Sequence, residues 1–323
     1  MISLAGASAL TLALFAIPGA AMAQSYPSKP IRLIVPSTPG GSVDTLARTI
    51  GPRLSERWGQ QVVVDNRPGA GGVIAAELTA KAPPDGYLLM LGTVASLGTN
   101  VSLHKKLSYD PVKDFAPVTL VATQNLMLVI HPSVPARSVK ELVRFAKSQS
   151  GKLSFASAGN GTGSHLSGEL FKQLAGVDIV HIPYKGVAPA MVDVISGQVA
   201  INFPSILTAL PHVRSGRVRA LGVTGASRTR AAPELSTMQE AGIKGYESAT
   251  WYGIVAPVGT PPDIVMKLGT EVAAILKQPE THERLSREGA DPVGSSPQEF
   301  GRFMQLEIEK WRKVIHAAGI QPS

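Results

Sequence analysis

The chain has 323 residues, of which 44% are hydrophobic and 17% charged, and its 31 Lys and Arg against 23 Asp and Glu give a net charge of +8. It contains no cysteine, which excludes a disulfide framework, a thiol nucleophile and cysteine-ligated metal centres. No Lys/Arg-rich block with interleaved aromatics occurs, so nucleic acid is not expected as a partner. These proportions predict a folded protein that is long enough for two domains.

The first 23 residues have the layout of a secretory signal peptide. An uncharged, largely apolar run over 7–17 ends at Pro18 and Gly19, and Ala21-Met22-Ala23 supplies an A-x-A cleavage pattern. The run is shorter than the ~20 apolar residues of a spanning helix. One feature of a signal peptide is missing, because no Lys or Arg precedes the run. A buried N-terminal helix is the alternative. We expect residues 1–23 to direct export, and the mature chain to contain no transmembrane segment.

The mature chain alternates strand-like apolar runs with helical periodicity, which predicts an α/β fold with largely parallel sheets flanked by helices. In chain order, a strand over 31–35 leads through a Pro/Gly-rich loop over 36–42 to a helix whose apolar stripe spans 43–58. A strand over 62–64, a second glycine loop, a short helix and a strand over 87–91 follow.

The same organisation recurs further along the chain. A strand over 153–156 leads into a glycine-rich loop over 157–163, and Ser164 is expected to be the N-cap of the next helix. Later strands are predicted over 179–182, 199–203 and 218–223. Capping-box patterns, which predict helix starts, lie at Ser138/Glu141, Ser296/Glu299 and, as a near variant, Thr260/Asp263.

Two apolar runs, each closed by proline, suit crossings between two lobes. They are Leu126–Ile130 and Trp251–Ala256. If the chain crosses at both, one lobe comprises residues 24–125 plus 251–323 and the other comprises residues 126–250.

The strand–glycine loop–helix unit is the strongest functional signal. It occurs at 31–58 and 153–175, with a weaker version at 62–82. A glycine loop lets backbone N–H groups converge, and the helix that follows adds unpaired N–H groups with a partial positive charge, so a carboxylate or phosphate is favoured there. The alternative is that these glycines only form tight turns. Two units in different lobes indicate an anion held across a cleft.

Several motifs that would indicate other chemistry are incomplete. The loop over 159–163 resembles a dinucleotide fingerprint, but Ser164 replaces its third glycine. No phosphate-binding P-loop, no G-x-S-x-G and no metal-binding histidine spacing occurs. We therefore expect no metal and no cofactor. His165 either donates to a ligand or packs and caps, and Asp44, in the first helical turn, is expected to support the loop before it.

The order of short motifs resembles the Bug-type solute-binding proteins, the extracytoplasmic receptors of tripartite tricarboxylate transporters. The opening of the mature chain, over 26–36 and 39–44, is similar to theirs. Further similar stretches follow in the same order over the whole mature chain: residues 66–72, 84–87, 109–115, 159–162, 183–186 and 259–262.

The resemblance implies a two-lobed Venus-flytrap fold of the type II periplasmic-binding-protein class, with a carboxylate ligand held by backbone amides and ordered water. The ligand-binding positions that it implies are Ser37, Thr38, Pro39, Gly40, Gly41, Ser42 and Thr93 in the first lobe. In the second lobe they are Ala158, Gly159, Asn160, Gly161, Thr162, His165, Tyr184 and Ser205. Many members have Asp-Asn where this chain has Pro204-Ser205, which leaves the ligand's identity open; Trp251 and Tyr252 are further candidates for the distal pocket.

These observations predict a monomeric periplasmic receptor that delivers a small organic carboxylate to the permease subunits of a membrane transporter. A receptor whose loaded form docks on a sensor kinase would use the same cleft. A cofactor-free enzyme acting on a carboxylated substrate is the remaining alternative, but the nucleophile–base pair that it needs is not evident in the sequence. We therefore expect the protein not to be an enzyme.

Overall fold

The computed structural model describes residues 26–287 and 289–322. The predicted signal peptide, residues 1–23, lies outside the described residues. The strands are β1 Ile31–Val35, β2 Val62–Asn66, β3 Leu88–Thr93, β4 Phe115–Asn125, β5 Met127–Ile130, β6 Ser154–Ser157, β7 Val180–Pro183, β8 Ile201–Asn202, β9 Arg219–Val223, β10 Ala249–Pro257 and β11 Ala290–Pro292. The helices are α1 Ser42–Trp58, α2 Val73–Ala80, α3 Asn100–Leu103, α4 Val139–Ser148, α5 Gly163–Ala175, α6 Val187–Ile195, α7 Ile206–Arg214, α8 Pro262–Leu276, α9 Pro279–Arg287 and α10 Pro297–Ala317.

The strands form two sheets, each flanked by helices. The six-stranded sheet has the order β11-β4-β10-β3-β1-β2 and the five-stranded sheet has the order β7-β6-β8-β5-β9. Both sheets are mixed, whereas the sequence predicted largely parallel ones. β1 runs parallel to β2 and β3, and β6 runs parallel to β7 and β8, but β4, β5, β9, β10 and β11 form antiparallel pairs. Apolar runs show that a strand is buried, but its direction depends on which strand lies beside it.

The chain passes between the sheets twice, and the two passages lie side by side. β4 of the six-stranded sheet is followed directly by β5 of the five-stranded sheet, with Leu126 between them. The return runs from β9 to β10. Leu126 and Thr224 hold the passages together, because the Leu126 N–H donates to the Thr224 hydroxyl over 2.8 Å and the Thr224 N–H donates to the Leu126 carbonyl over 3.0 Å.

The last helix packs against the six-stranded sheet through an apolar stripe. Phe300, Met304 and Ile315 of α10 are buried there. The indole N–H groups of Trp251 and Trp311 both donate to Glu307 Oε2, over 2.9 and 2.8 Å. Strand β10 is therefore tied to α10 by a buried polar contact as well as by apolar packing.

The predicted helix starts have different outcomes. The Ser296/Glu299 capping box is complete. Ser138 accepts from the Glu141 N–H, but the Glu141 side chain accepts from Arg137 instead of returning to the cap, so this box is half formed.

Two predicted caps were wrong. The Thr260 hydroxyl donates to the Pro257 carbonyl, and the N-cap of α8 is Pro261. The N-cap of α5 is Thr162, because the extended backbone that a cap requires occurs there and Ser164 lies inside the helix.

Candidate functional site

The first-lobe loop, residues 36–41, connects β1 to α1 and is held from beneath by a carboxylate. Asp44 is buried and accepts from the Gly40 N–H over 2.9 Å and from Asn66 Nδ2 over 2.9 Å. Asn66 Nδ2 also donates to the Ser37 carbonyl, and Arg48 Nε donates to Asp44. Burial acts to raise the pKa of Asp44, but these hydrogen bonds outweigh it and lower the pKa below its usual 3.8. Asp44 thus lies where the sequence placed a loop support.

Unpaired amides point out of the first turn of α1. Its N-cap is Gly41, which has no side chain to accept from them. Among the described residues, the N–H groups of Ser42, Val43 and Asp44 have no acceptor, as is usual for a helix start without a cap. Thr38, Pro39 and Gly40 are exposed in the loop before them. This end of the helix can therefore accept an anion from solvent.

Tyr252 of β10 connects this helix start to the crossing strand. Its hydroxyl donates to Gln124 Oε1 over 2.8 Å. Burial raises the pKa of Tyr252 to about 12, although hydrogen bonds with Ser42 and Thr250 act in the opposite direction. Thr93 is the register partner of Tyr252 in the β3–β10 pairing. A neutral tyrosine therefore lies between the start of α1 and the passage between the lobes.

The second-lobe loop, residues 158–162, connects β6 to α5 and uses most of its own amides internally. The Ala158 N–H donates to Ser164 Oγ over 2.9 Å, and the Gly159 N–H donates to Ser157 Oγ over 3.1 Å. The Gly161 N–H donates to His165 Nδ1 over 3.0 Å. The loop is thus a rigid turn, and a ligand would find few free donors within it.

The donors that remain free in this region are those at the start of α5. The Thr162 hydroxyl donates to the Gly159 carbonyl over 2.7 Å and does not cap the helix. Within the described part of the chain, no acceptor lies within hydrogen-bonding distance of the N–H groups of Asn160, Gly163, Ser164 and His165. In this lobe the free amides therefore lie mainly at the helix start and less in the glycine loop that the sequence indicated.

The buried ring of His165 faces the loop. Because Nδ1 accepts from Gly161, this nitrogen must be unprotonated, and burial together with the neighbouring His181 and Lys172 lowers the pKa of His165 to about 3. Its Nε2 lies 3.9 Å from Glu169 Oε1. Of the two roles open to His165 from the sequence, the observed contacts are those of a loop support.

The two helix starts are linked through residues of the crossing strand β10. A Cβ added to Gly163, the first residue of α5, would lie 3.2 Å from the Cβ of Thr250. The hydroxyls of Thr250 and Ser42 both lie close enough to the Tyr252 hydroxyl to lower its pKa. Ser42, Tyr252, Thr250 and Gly163 therefore form a continuous series of contacts between the uncapped ends of α1 and α5.

Tyr184 and Ser205 have other contacts. The Tyr184 hydroxyl donates to Asp193 over 2.5 Å, and burial together with this carboxylate raises the pKa of Tyr184 to about 12. Ser205 is buried and its hydroxyl caps α7 by accepting from the Thr208 N–H. Both hydroxyls are thus occupied within the second lobe, and the exposed Lys185 next to Tyr184 makes no ion pair among the described residues.

Several helices that follow parallel strands begin without a side-chain cap. Helices α1, α2, α5 and α6 follow adjacent parallel strands, begin after glycine-containing loops and lack a side-chain cap. Helix α7 also follows a parallel strand, β8, but it is capped by Ser205, and α4 and α10 are capped by Ser138 and Ser296. Helix α8 lacks a side-chain cap although it follows the antiparallel strand β10. Uncapped helix starts thus occur at the carboxyl ends of both parallel pairs, which is where ligands bind in open α/β sheets.

Several residues of the site carry no recognisable motif in the sequence. Gln124 and Thr250 are polar positions inside apolar strands, which is the one signal that could have identified them. Ser157 and His181 support the second-lobe loop from separate strands, 24 residues apart, and no local pattern joins them. No group of three or more His, Asp or Glu that could hold a metal occurs in the described part, and no helix there is long and apolar enough to cross a membrane.

Two lobes of mixed sheet, joined by adjacent crossings with uncapped helix ends between them, define an extracytoplasmic solute-binding receptor of the type II periplasmic class. Such proteins are receptors and not enzymes. The family model of the tripartite tricarboxylate transporter family receptor matches residues 46–320. The chain belongs to this family, as the resemblance in its sequence indicated.

Relatives support this assignment over almost the full length. BugT of Bordetella pertussis is 37% identical over 298 residues, which cover 92% of this chain and 91% of BugT. The structure of R. palustris Rpa4515 with adipate has a TM-score of 0.88 and 41% identity, and covers 92% of this chain and 100% of its own. MatC from Rhodopseudomonas palustris, with bound malate, has a TM-score of 0.82 and 34% identity, and covers 90% and 100%.

Proposed function

We propose that this protein binds a small organic carboxylate between its two lobes. The observation that carries the proposal is the pair of uncapped helix starts, α1 and α5, joined by contacts through Tyr252 and Thr250. A carboxylate at each start accepts hydrogen bonds from N–H groups that the protein leaves unpaired. Charge-assisted bonds of this kind are about twice as strong as neutral ones, and exclusion of water on closure strengthens them.

A dicarboxylate is the ligand class best suited to this arrangement. Two helix starts in different lobes offer two anion positions, and one acid group at each position would hold the lobes together. The bound adipate of Rpa4515 and the bound malate of MatC, both dicarboxylates, support this choice. Of the ligand-binding positions predicted from the sequence, Ser42, Asn160 and His165 have main-chain N–H groups that are free within the described part of the chain, and we propose that these contact the ligand. The others stay predictions: Ser37, Thr38, Pro39, Gly40, Gly41, Thr93, Ala158, Gly159, Gly161, Thr162, Tyr184 and Ser205.

The lobes divide at the two passages between the sheets. One comprises residues 24–125 plus 251–323 and the other comprises residues 126–250; the side-by-side strands support a hinge at Leu126 and Thr224. Ligand affinity then depends on closure, since each lobe contributes one anion position.

The residues up to 23 act as the export signal, and the mature protein is a monomer that delivers its ligand to the permease subunits of a tripartite transporter. Copurification with those subunits tests the delivery.

A thermal-shift series with the mature protein tests ligand binding. Adipate, malate and citrate are compared with adipamide, which has the length of adipate without its charges. A ligand at 100 times its dissociation constant stabilises the folded state by about 2.7 kcal/mol, so at least one acid should raise the midpoint while adipamide leaves it unchanged. If no acid raises the midpoint above that of the ligand-free protein, and calorimetric titration also detects no binding, carboxylate binding by this cleft is contradicted.

A further inference from the structure

We propose that His181 is a positioning residue for ligand binding: through the hydroxyl of Ser157 it holds the second-lobe loop in the conformation that presents the start of α5 to the carboxylate. The effect on ligand binding rests on the proposed function, whereas the claim that His181 holds the loop can be tested without a ligand. His181 lies on β7, outside the loop and outside α5. It acts through other residues, because its own ring nitrogen is bonded to Ser157.

A stack of three rings fixes the position of His181. β6 and β7 are parallel and place Phe155 opposite His181, with ring centroids 4.8 Å apart. The ring of His165, from α5, lies 4.0 Å from that of His181, and the planes differ by 19°. Helix α5 comes close enough to Phe155 that a Cβ at Gly168 would lie 2.1 Å from the phenyl ring. The His181 ring is therefore held by the sheet on one side and by the helix on the other.

The two histidines act on alternate amides of the loop. His181 Nε2 lies 2.6 Å from Ser157 Oγ, and this buried hydroxyl accepts from the Gly159 N–H over 3.1 Å. His165 Nδ1 accepts from the Gly161 N–H over 3.0 Å. Asn160, between these two anchored residues, is exposed and keeps its own N–H free for a ligand.

The backbone of the loop requires this support. Gly159 has φ +128° and Gly161 has φ +74°. Glycine adopts such conformations at low cost, but a glycine-rich loop without support can adopt many other conformations as well. Fixing these two residues removes those alternatives before the ligand arrives. Pre-organisation of this kind increases affinity because less conformational entropy is lost on binding.

Both histidines are neutral at physiological pH. Burial, followed by the positive charge of Lys172, lowers the pKa of His181 to about 4. Among the described residues, Glu169 on α5 also faces this pair, 3.9 Å from His165, and Lys172 neutralises it over 3.0 Å. Neutral rings can accept hydrogen bonds, which is the role that His165 has in the structure.

Four single variants of the full mature protein separate the ring from its hydrogen bond. His181→Phe keeps a flat ring in the stack and removes the nitrogen. His181→Gln keeps a polar atom that extends about as far as Nε2 and can still bond to Ser157 Oγ. Ser157→Ala removes the intermediate hydroxyl. Ser133→Ala is the matched control, because Ser133 Oγ makes a similar bond of 2.7 Å to His131 outside the site.

Calorimetric titration with adipate gives the affinity. Loss of the anchoring hydrogen bond should weaken adipate binding roughly 5- to 100-fold in His181→Phe and in Ser157→Ala. His181→Gln should recover most of the affinity, and Ser133→Ala should match the wild type. The double variant His181→Phe/Ser157→Ala should be no weaker than the worse single variant, because both changes break one connection.

Amide hydrogen exchange of the ligand-free protein provides the second measurement. The Gly159 amide should exchange faster in His181→Phe and Ser157→Ala, with the Gly161 amide following, while protection in β4 and β10 stays unchanged. If wild type and both variants bind adipate equally, or if Gly159 keeps its protection, the positioning role is overturned and carboxylate binding stands. If the wild type binds none of the acids, the proposed function fails and the exchange of Gly159 alone decides whether His181 holds the loop.

Discussion

The hydroxyl of Thr99 donates to the main-chain oxygen of Gly161 over 2.9 Å, and both residues are buried. Thr99 immediately precedes α3 beside the six-stranded sheet, whereas Gly161 belongs to the loop that leaves the five-stranded sheet. This hydrogen bond thus joins the two lobes directly, next to the start of α5. The side chain of Leu103 fills the space beside Gly161, so the contact has no room for a larger residue.

Gly161→Ala is expected to disrupt this contact. The added Cβ would lie 2.3 Å from Leu103 Cδ1 and would place a non-glycine residue at φ +74°. We expect the free energy of unfolding to fall by about 2–4 kcal/mol, since overpacking and backbone strain add, and adipate affinity to fall with it. Chemical denaturation and calorimetric titration measure the two effects.

Gly216→Ala is the matched control, because Gly216 has φ +69° and no atom within 4 Å of the added Cβ. Its free energy of unfolding should fall only by the cost of backbone strain, about 1 kcal/mol, and it should bind adipate normally. Equal losses in the two variants would show that Leu103 and Thr99 contribute nothing.

A large side chain at Gly41 should block the start of α1 without unfolding the protein. Gly41 has φ −80°, and the nearest atoms to an added Cβ are 3.8 Å away, so a side chain is accepted there. Gly41→Leu should then cover the free amides and weaken adipate binding at least tenfold, while Gly41→Ala stays close to the wild type. Thermal midpoints and titration of both variants are the measurement, and normal affinity in Gly41→Leu would remove this loop from the site.

His165→Ala should weaken ligand binding while the protein stays folded. The change leaves the Gly161 N–H buried without its acceptor, at a cost of about 1–3 kcal/mol, which is less than the 5–15 kcal/mol stability of an ordinary protein. His165→Asn offers an oxygen near the position of Nδ1 and should retain more affinity. Identical titration curves for the wild type and His165→Ala would leave His165 without a role in binding.

The stability of the protein should fall as the pH is lowered below about 6.5. The pKa values of His165 and His181 are about 3 and about 4 in the folded state, against about 6.5 when unfolded. Between these values the unfolded chain binds more protons, so acid favours unfolding, and the contribution is fully present above pH 6.5. Denaturation curves from pH 7 to pH 4 measure the slope. A His165→Asn/His181→Gln variant should have a shallower slope, and an unchanged slope would assign the acid sensitivity to other groups.

Glu307→Leu should destabilise the protein more than any other single change away from the cleft that we predict here. Two buried indole N–H groups would lose the oxygen that they share, at about 1–3 kcal/mol for each. Glu307→Gln keeps an accepting oxygen and should cost about 1 kcal/mol. Urea unfolding followed by tryptophan fluorescence measures both, because Trp251 and Trp311 report from the affected region. Similar costs for Leu and Gln would mean that one of the indoles finds another acceptor.

The sequence was sufficient for features that depend on neighbours along the chain. Glycine loops after apolar runs located the starts of α1 and α5, and Ser296 with Glu299 located the start of α10. Strand direction was not predictable, because β4 and β10 pair residues more than a hundred positions apart. The histidine stack depends on the pairing of β6 with β7, and Ser42 and Tyr252 lie more than two hundred positions apart. Periodicity shows only which face of an element is buried. Tyr184 illustrates the same limit, because its partner Asp193 becomes visible once α6 is placed.

The pairing of β4 with β10 has a consequence for the architecture as a whole. Asn125, the last residue of β4, and Ala249, the first of β10, are register partners on neighbouring antiparallel strands. Everything between them is topologically an insertion at the tip of a β-hairpin, so a two-residue turn could close the gap that excision of the inserted segment leaves. The six-stranded half could then be produced on its own, and the affinity between two separately produced halves could be measured with and without adipate.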